Sequence, residues 1–474
     1  MKFSAHIRNL PLLPVAMLLS AAFSAWLIYS NPVLNDDAYS YLLAADLYQT
    51  QGMAAVLDSF GWYGYSILIA LLNTILPGEA GSSAQVINSL SYLLLIWSFI
   101  RLSELIWSGE QVSWFALIVI LGFPLLNEMR YFIIRDTAFW ALSMTALLHL
   151  IRFARFGKIR NALLWCLCSL AAVVFRLEAI LPLLLTPLAL LSSGKPAGQQ
   201  VKPLLKLEGL LLILTSSIFL LAMSVNIQLT ELMRFAYRYY LPLLLNMGSL
   251  LNEDAVTLFN SQFSDSSIPA NAKQGIGIVL LVVSNCFAVL TNLIAALSPL
   301  LCLIIIASML RKYLPQLPAY ARNIMLLSMA CSLLSLLTFQ LIMHFQTQRY
   351  ATFLCLQLLL LLPGILAVLW RKALANGSSL RFKAVFVFLC CYFFTDSLIS
   401  FGYSKGYLIE AKAWVYNNLP QDAELVTNIY AIAYANGQVF IPDTNAKQIA
   451  TLLNAADKAE FVVIQVKAAD KAGP

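Results

Sequence analysis

From Asn9 to Ile100 the chain carries no lysine or arginine. Within that stretch, LPLLPVAMLLSAAFSAWLIYS is an apolar run long enough to cross about 30 Å of hydrocarbon as a helix. Runs of similar character recur almost to the C-terminus. The chain is 60% hydrophobic and 11% charged, and a soluble protein of this size needs about twice that charge. The sequence therefore specifies an all-α polytopic membrane protein. The formal net charge of +7 would hint at nucleic acid in a soluble chain. In a membrane protein the position of each charge matters more, and no nucleic-acid partner is expected.

Basic residues in short loops belong on the cytoplasmic side. The clusters are Lys2 and Arg8; Arg101; Arg152, Arg155, Lys158 and Arg160; Lys195, Lys202 and Lys206; Arg311, Lys312 and Arg322; and Arg371, Lys372, Arg381 and Lys383. Placing all of them inside gives about eleven spans, near 10–30, 84–104, 112–127, 136–151, 161–176, 179–193, 209–226, 288–310, 323–343, 350–370 and 383–402. The N-terminus is then cytoplasmic and the C-terminus outside. The first span reads as uncleaved, because no small-residue cleavage site precedes YSNP. Residues 161–193 are divided because basic clusters flank both ends. Residues 275–310 hold one span preceded by an interfacial helix, or two spans.

Four regions face outward: the loop 31–83, the turn NEMRYFIIRD, the loop 227–275 and the tail 403–474. In the first loop, YSYLLAADLYQT reads as an amphipathic helix, and SFGWYGYSILIALLNTIL as a longer one lying partly in the interface. In the third loop, Arg234, Tyr237, Arg238, Tyr239 and Tyr240 read as an interfacial strip. The tail changes composition: a helix, a turn at Pro420 and two strands, ELVTNI and AEFVVIQVK, suggest a small α/β domain. Two domains are thus expected, a transmembrane module at 1–402 and a soluble outer domain at 403–474. All eight cysteines lie in apolar segments, and the three histidines are far apart, so neither a disulfide framework nor a zinc site is expected.

The acidic pair Asp36–Asp37 follows directly on the first span. One reading is helix capping, since Asp is a good N-cap and acids suit a helix N-terminus. The other is that one of the two carboxylates is a general base. Arg176 and Glu178, in FRLEA, stand between two apolar segments, where an ionisable group costs about 2.5–3.5 kcal/mol even on a lenient insertion scale. They either pair at a tight turn or serve a site.

The order of a first span, an acidic pair, then Tyr41, Ala45 and Gly52 resembles the opening of the GT-C glycosyltransferases. The branch resembled holds the protein O-mannosyltransferases and the lipid A aminoarabinose transferases. NEMRYFIIRDTAFWALSMTALLHLIRFAR resembles that family's second outer loop and fourth span, with Asp136 opening the span after Glu128, Arg130 and Arg135. FRLEA is similar to an Arg-Pro-Glu-Gly segment, with Leu177 and Ala179 in place of proline and glycine. QTQRYATFL resembles an Arg-Tyr pair opening a late span, here Arg349 and Tyr350, and AKAWVYNNLPQDAELVTN the start of an outer C-terminal segment. The Trp-Trp-Asp-Tyr-Gly motif of oligosaccharyltransferases is absent, which disfavours transfer of an oligosaccharide to asparagine.

The resemblance implies a GT-C fold in a bacterial inner membrane, acting at its outer face. It implies a polyprenyl-phosphate-linked sugar as donor and a lipid, glycan or protein as acceptor. Asp37 or Asp36 would be the base, with inversion at the anomeric carbon. Arg130, Arg135, Asp136, Arg176, Glu178, Arg349 and Tyr350 would hold donor phosphate or sugar, since guanidinium forks match phosphate oxygens in pairs. Asp36 or Asp37 with Glu128 or Asp136 could in principle ligate Mg²⁺ or Mn²⁺. The branch works mostly without a required metal, so neither metal nor other cofactor is expected. The rival readings are a lipid-linked-sugar flippase or transporter, and a polysaccharide polymerase or ligase.

Overall fold

The computed structural model describes residues 12–59, 63–76, 78–192, 197–224, 257, 270–398, 406–420, 425–427, 429–435 and 461–463. The cationic and tyrosine strip at 234–240 lies outside these residues, as do Lys2, Arg8 and Lys195. Seven described helices are long and apolar enough to cross a membrane: Leu12–Ser30, Ala80–Ile106, Asp136–Phe156, Val201–Leu221, Gly275–Leu297, Ala319–Met343 and Gln348–Ala375. Shorter apolar helices cover Tyr63–Ile75, Val112–Leu121, Ile159–Phe175, Leu177–Ser192 and Pro299–Leu310.

Two of the expected spans break at the residue directly before a proline. The segment expected to cross over 288–310 is two helices, Ala270–Leu297 and Pro299–Leu310, parted at Ser298, whose φ is 77°. Over 112–127, a helix ends at Leu121 and a second, Pro124–Glu128, begins after Phe123, which is extended. Proline disfavours helical backbone in the residue before it and is at home at a first helical position.

The chain forms two compact units. The first comprises Met1–Phe23, Asn88–Arg130 and Arg135–Ile399. Its innermost helices are Asp136–Phe156, with 83% of its membrane-length window buried, and Gln348–Ala375, with 78%. Val201–Leu221 and Gly275–Leu297 are only 11% and 17% buried, leaving apolar faces that suit lipid. Asp136–Phe156 has an acid in its first turn and Arg155 in its last, complementing the helix dipole. Gly157, in the left-handed region at φ 66°, ends it and donates its N–H to the Phe153 carbonyl. The chain then reverses into Ile159–Phe175, so the start of the first helix and the end of the second share one end of a hairpin. The Gln348–Ala375 run breaks near Leu360, before Pro363. The Leu360 carbonyl, at the junction, accepts a 2.7 Å bond from Trp107 Nε1. Gly364 lets the indole lie close, since a Cβ there would stand 2.6 Å from Trp107 Cδ2.

The second unit comprises Ser24–Ile87, Tyr131–Ile134 and Ser400–Pro474. The tail expected to stand alone from residue 403 therefore shares a unit with most of the first outer loop. Helix Tyr407–Asn418 and helix Tyr430–Ala435 accompany two strands, Leu425–Thr427 and Phe461–Val463, paired in parallel with Leu425 opposite Phe461. Leu408, Val415, Leu425, Ile429 and Ile432 form its core, and Val33 and Tyr39 of the first loop pack against it. The loop itself contains helices Asp36–Gln51, Met53–Ser59 and Tyr63–Ile75. The first and third meet through Tyr41 and Tyr65, edge to face at 5.1 Å.

Candidate functional site

The hairpin brings two distant charges together. Asp136 opens one helix, and Arg176, in extended conformation, ends the other. Their side chains are 3% and 6% exposed, and Arg176 Nη1 donates to Asp136 Oδ1. A 3-10 turn, Leu177–Ala179, follows immediately and swings Glu178 back onto the same guanidinium. Arg176 Nη2 donates to Glu178 Oε1 at 2.6 Å and Nε to Oε2 at 3.3 Å, a forked pair. Burial alone would raise the Glu178 carboxyl. The Arg176 charge and hydrogen bonds, with Arg135 adding its charge, instead hold it at about 2.

Helix Gln348–Leu359 adds Arg349 and Tyr350 from its first turn. Arg349 Nε lies 4.0 Å from Asp136 Oδ2. The Tyr350 ring sits beneath both guanidinium groups, 4.7 Å from that of Arg176 and 5.4 Å from that of Arg349. Phe139, one turn into the helix that Asp136 opens, lies 5.7 Å from Arg176. Arg135, Arg176 and Arg349 against Asp136 and Glu178 leave one net positive charge. A cleft of about 470 Å³ opens at this cluster, lined by Arg176, Glu178, Phe139, Phe339 and Tyr350. Ser332 and Ser335 line it from helix Ala319–Met343. Among the described residues no group of three metal-ligating side chains is assembled. Chemically, the arrangement is a partly apolar slot whose charged wall is Arg176 with Glu178, beside the further cation Arg349.

Of the residues singled out by sequence, Asp136, Arg176, Glu178, Arg349 and Tyr350 are thus gathered, with Arg135 acting on Glu178 by charge. Arg130 is fully buried and tied elsewhere. Its Nε donates to Asn127 Oδ1 at 2.7 Å and its Nη1 to Ser20 Oγ at 3.1 Å, and it lies 4.5 Å from the Tyr92 ring. Burial lowers its pKa to about 10, so it stays charged at neutral pH. These contacts anchor the turn that precedes Asp136.

Asp36 and Asp37 belong to the other unit. The helix that capping was expected to start near Ala38 begins at Asp36, so both acids stand in its first turn. Asp36 is exposed and Asp37 half-buried. Asn35, at the N-cap position, makes no side-chain capping bond. Its amide instead clamps a backbone segment: Ile133 N–H donates to Oδ1 at 2.8 Å, and Nδ2 donates to the Ile133 carbonyl at 3.3 Å. Tyr39, one turn on, has its pKa raised to about 12 by burial and by Asp36. Tyr434 donates to Asp46 Oδ2 at 2.9 Å, tying the tail to the same helix.

Sequence reasoning missed Asn35, Tyr434, Phe139 and Phe339. Phe139 had a signal in its spacing, three residues after Asp136. Asn35 and Tyr434 had none, since their partners Ile133 and Asp46 are remote in the chain. Asn35→Ala removes both amide bonds, each of about 1 kcal/mol net. Hydrogen–deuterium exchange at the Ile133 amide is expected to quicken at least about fivefold. An unchanged rate would show that the clamp does not hold this segment.

No protein-family model matches the chain, and neither does any curated protein. The solved structures to which the chain is similar include the crystal structures of ArnT from Cupriavidus metallidurans bound to undecaprenyl phosphate and in the apo state. Each is 12% identical and aligns over 94% of this chain, covering 89% and 88% of the other, with a TM-score of 0.39.

Proposed function

We propose that this protein is a GT-C-type membrane glycosyltransferase that takes a monosaccharide from a polyprenyl-phosphate donor. The observation that carries the reading is the buried Arg176, held by Asp136 and Glu178 and flanked by Arg349 and Tyr350. A buried guanidinium fixed by two carboxylates is oriented before any ligand arrives, and the further cations leave the cluster net positive. That combination suits a phosphate leaving group, whose charge grows as the sugar departs.

In this reading the donor phosphate meets Arg349, Arg135 and Arg176, and Tyr350 offers a ring face and a hydroxyl. The acceptor hydroxyl loses its proton to a carboxylate and its oxygen attacks the anomeric carbon. The bond from that carbon to the phosphate oxygen breaks, inverting the centre and leaving polyprenyl phosphate. Asp37 is the proposed base, on its place after the first span and its partial burial, with Asp36 as its neighbour. The acceptor is a lipid, glycan or protein, the membrane is a bacterial inner membrane, and the transfer takes place at its outer face.

The test is donor consumption. Purified protein receives a panel of radiolabelled polyprenyl-phosphate sugars with a membrane extract as acceptor. Release of sugar from one of them is the expected result. Movement of labelled lipid between leaflets of proteoliposomes, with no sugar released, would instead establish a flippase.

A further inference from the structure

A second and larger cleft, of about 1030 Å³, lies in the first unit, lined by Glu104, Trp107, Arg155, Gln316, Tyr320 and Arg371. It is built at the ends of Ala80–Ile106, Asp136–Phe156, Ala319–Met343 and Leu361–Ala375, where the basic clusters of four chain segments occur. Its one carboxylate is already engaged: Glu104 pairs with Arg101 at 2.8 Å and accepts from Ser113 at 2.8 Å. Its two lining cations are not. Among the described residues neither Arg155 nor Arg371 has a carboxylate partner.

Both guanidinium groups are nonetheless directed. Arg155 lies 5.2 Å from the Tyr320 ring, and the Tyr320 hydroxyl donates to the Leu105 carbonyl at 2.8 Å. Arg371 donates from Nε to the Ala367 carbonyl at 3.3 Å, which leaves its two Nη groups for another acceptor. The neighbouring Lys372 sits 4.2 Å from the Tyr313 ring and adds a third positive charge on this side. Trp107 and Tyr320 are the aromatic types that favour headgroup depth. Basic pockets between transmembrane helices on the positively charged side are a recurrent form of lipid-headgroup site.

We propose that this cleft binds the phosphate headgroup of an acidic phospholipid through Arg155 and Arg371. The same phosphate chemistry could come from a soluble phosphate ester; the lipid is favoured because the cleft lies at the ends of membrane-length helices. The proposal is independent of the transfer chemistry at the Arg176 cluster.

The test uses the full-length protein in detergent, titrated with dioleoylphosphatidylglycerol, dioleoylphosphatidylcholine or glycerol 3-phosphate, with thermal midpoint as readout. Phosphatidylglycerol is expected to raise the midpoint, phosphatidylcholine and glycerol 3-phosphate not. In Arg155→Gln/Arg371→Gln the apparent affinity for phosphatidylglycerol is expected to fall about thirtyfold, at about 1 kcal/mol per cation and 1.4 kcal/mol per decade. Lys158→Gln/Arg160→Gln removes two cations from the same side but outside the cleft and is expected to keep the wild-type affinity. If the double cleft variant is unstable without lipid, the single variants are read instead, each expected to weaken binding about fivefold. An unchanged affinity in the cleft variants, or an equal loss in the control, overturns the proposal. Stabilisation by glycerol 3-phosphate overturns the choice of a lipid.

Discussion

Arg176→Ala is expected to abolish donor consumption and to lower the thermal midpoint of the purified protein sharply. Arg176 is the shared partner of Asp136 and Glu178, and the Asp136 side chain is only 3% exposed. Removing the cation strands two carboxylates, and breaking a buried ion pair in this way costs about 3–5 kcal/mol. Arg176→Lys is expected to recover part of the stability and little activity, because an ammonium cannot fork onto Glu178 while also reaching Asp136. Activity and folding are separated by Arg176→Met/Asp136→Asn/Glu178→Gln, which removes the charges together. That variant is expected to regain much of the thermal midpoint while remaining unable to use donor. Full turnover in it would show that the cluster is a structural staple and not part of the site.

Asp37→Asn should lower sugar transfer by about 10²- to 10⁴-fold, the usual contribution of a positioned acid or base. Protein yield and helical circular dichroism are expected to stay at wild-type levels. The substitution is nearly isosteric, and the Asp36–Gln51 helix is fixed by contacts other than this carboxylate: Asn35 on Ile133, Tyr41 against Tyr65 and Tyr434 on Asp46. Asp36→Asn is expected to have the smaller effect, because Asp36 is exposed where Asp37 is half-buried. Normal turnover in the double variant would remove the base assignment and leave the acidic pair as helix-terminus charges.

These experiments bear on residues that differed in how far the sequence exposed them. The Arg176–Glu178 pairing was legible because the two groups lie two positions apart between apolar segments, where a charge needs a partner. The paired strands of the tail fall inside the runs expected from β-branched and aromatic residues, since strand propensity is written locally. The break before Pro124 was missed, and the division of 275–310 was expected before 288 where it falls at Ser298, because hydropathy stays high through both and an apolar count does not register a proline as a break.

The sequence by itself determined that the chain is a polytopic helical membrane protein and which charges interrupt its apolar segments. Both depend on local composition, and the cost of placing charge in hydrocarbon is the same wherever the chain goes next. Only the tertiary structure decided which of those charges meet. Asp136 and Arg176 are forty positions apart, and they touch because Gly157 turns one helix back beside the other. Asn35 reaches Ile133 across ninety-eight positions, and Val33 and Tyr39 join the core of the tail. Such contacts depend on the register in which whole helices pack, and no short stretch of sequence contains that register.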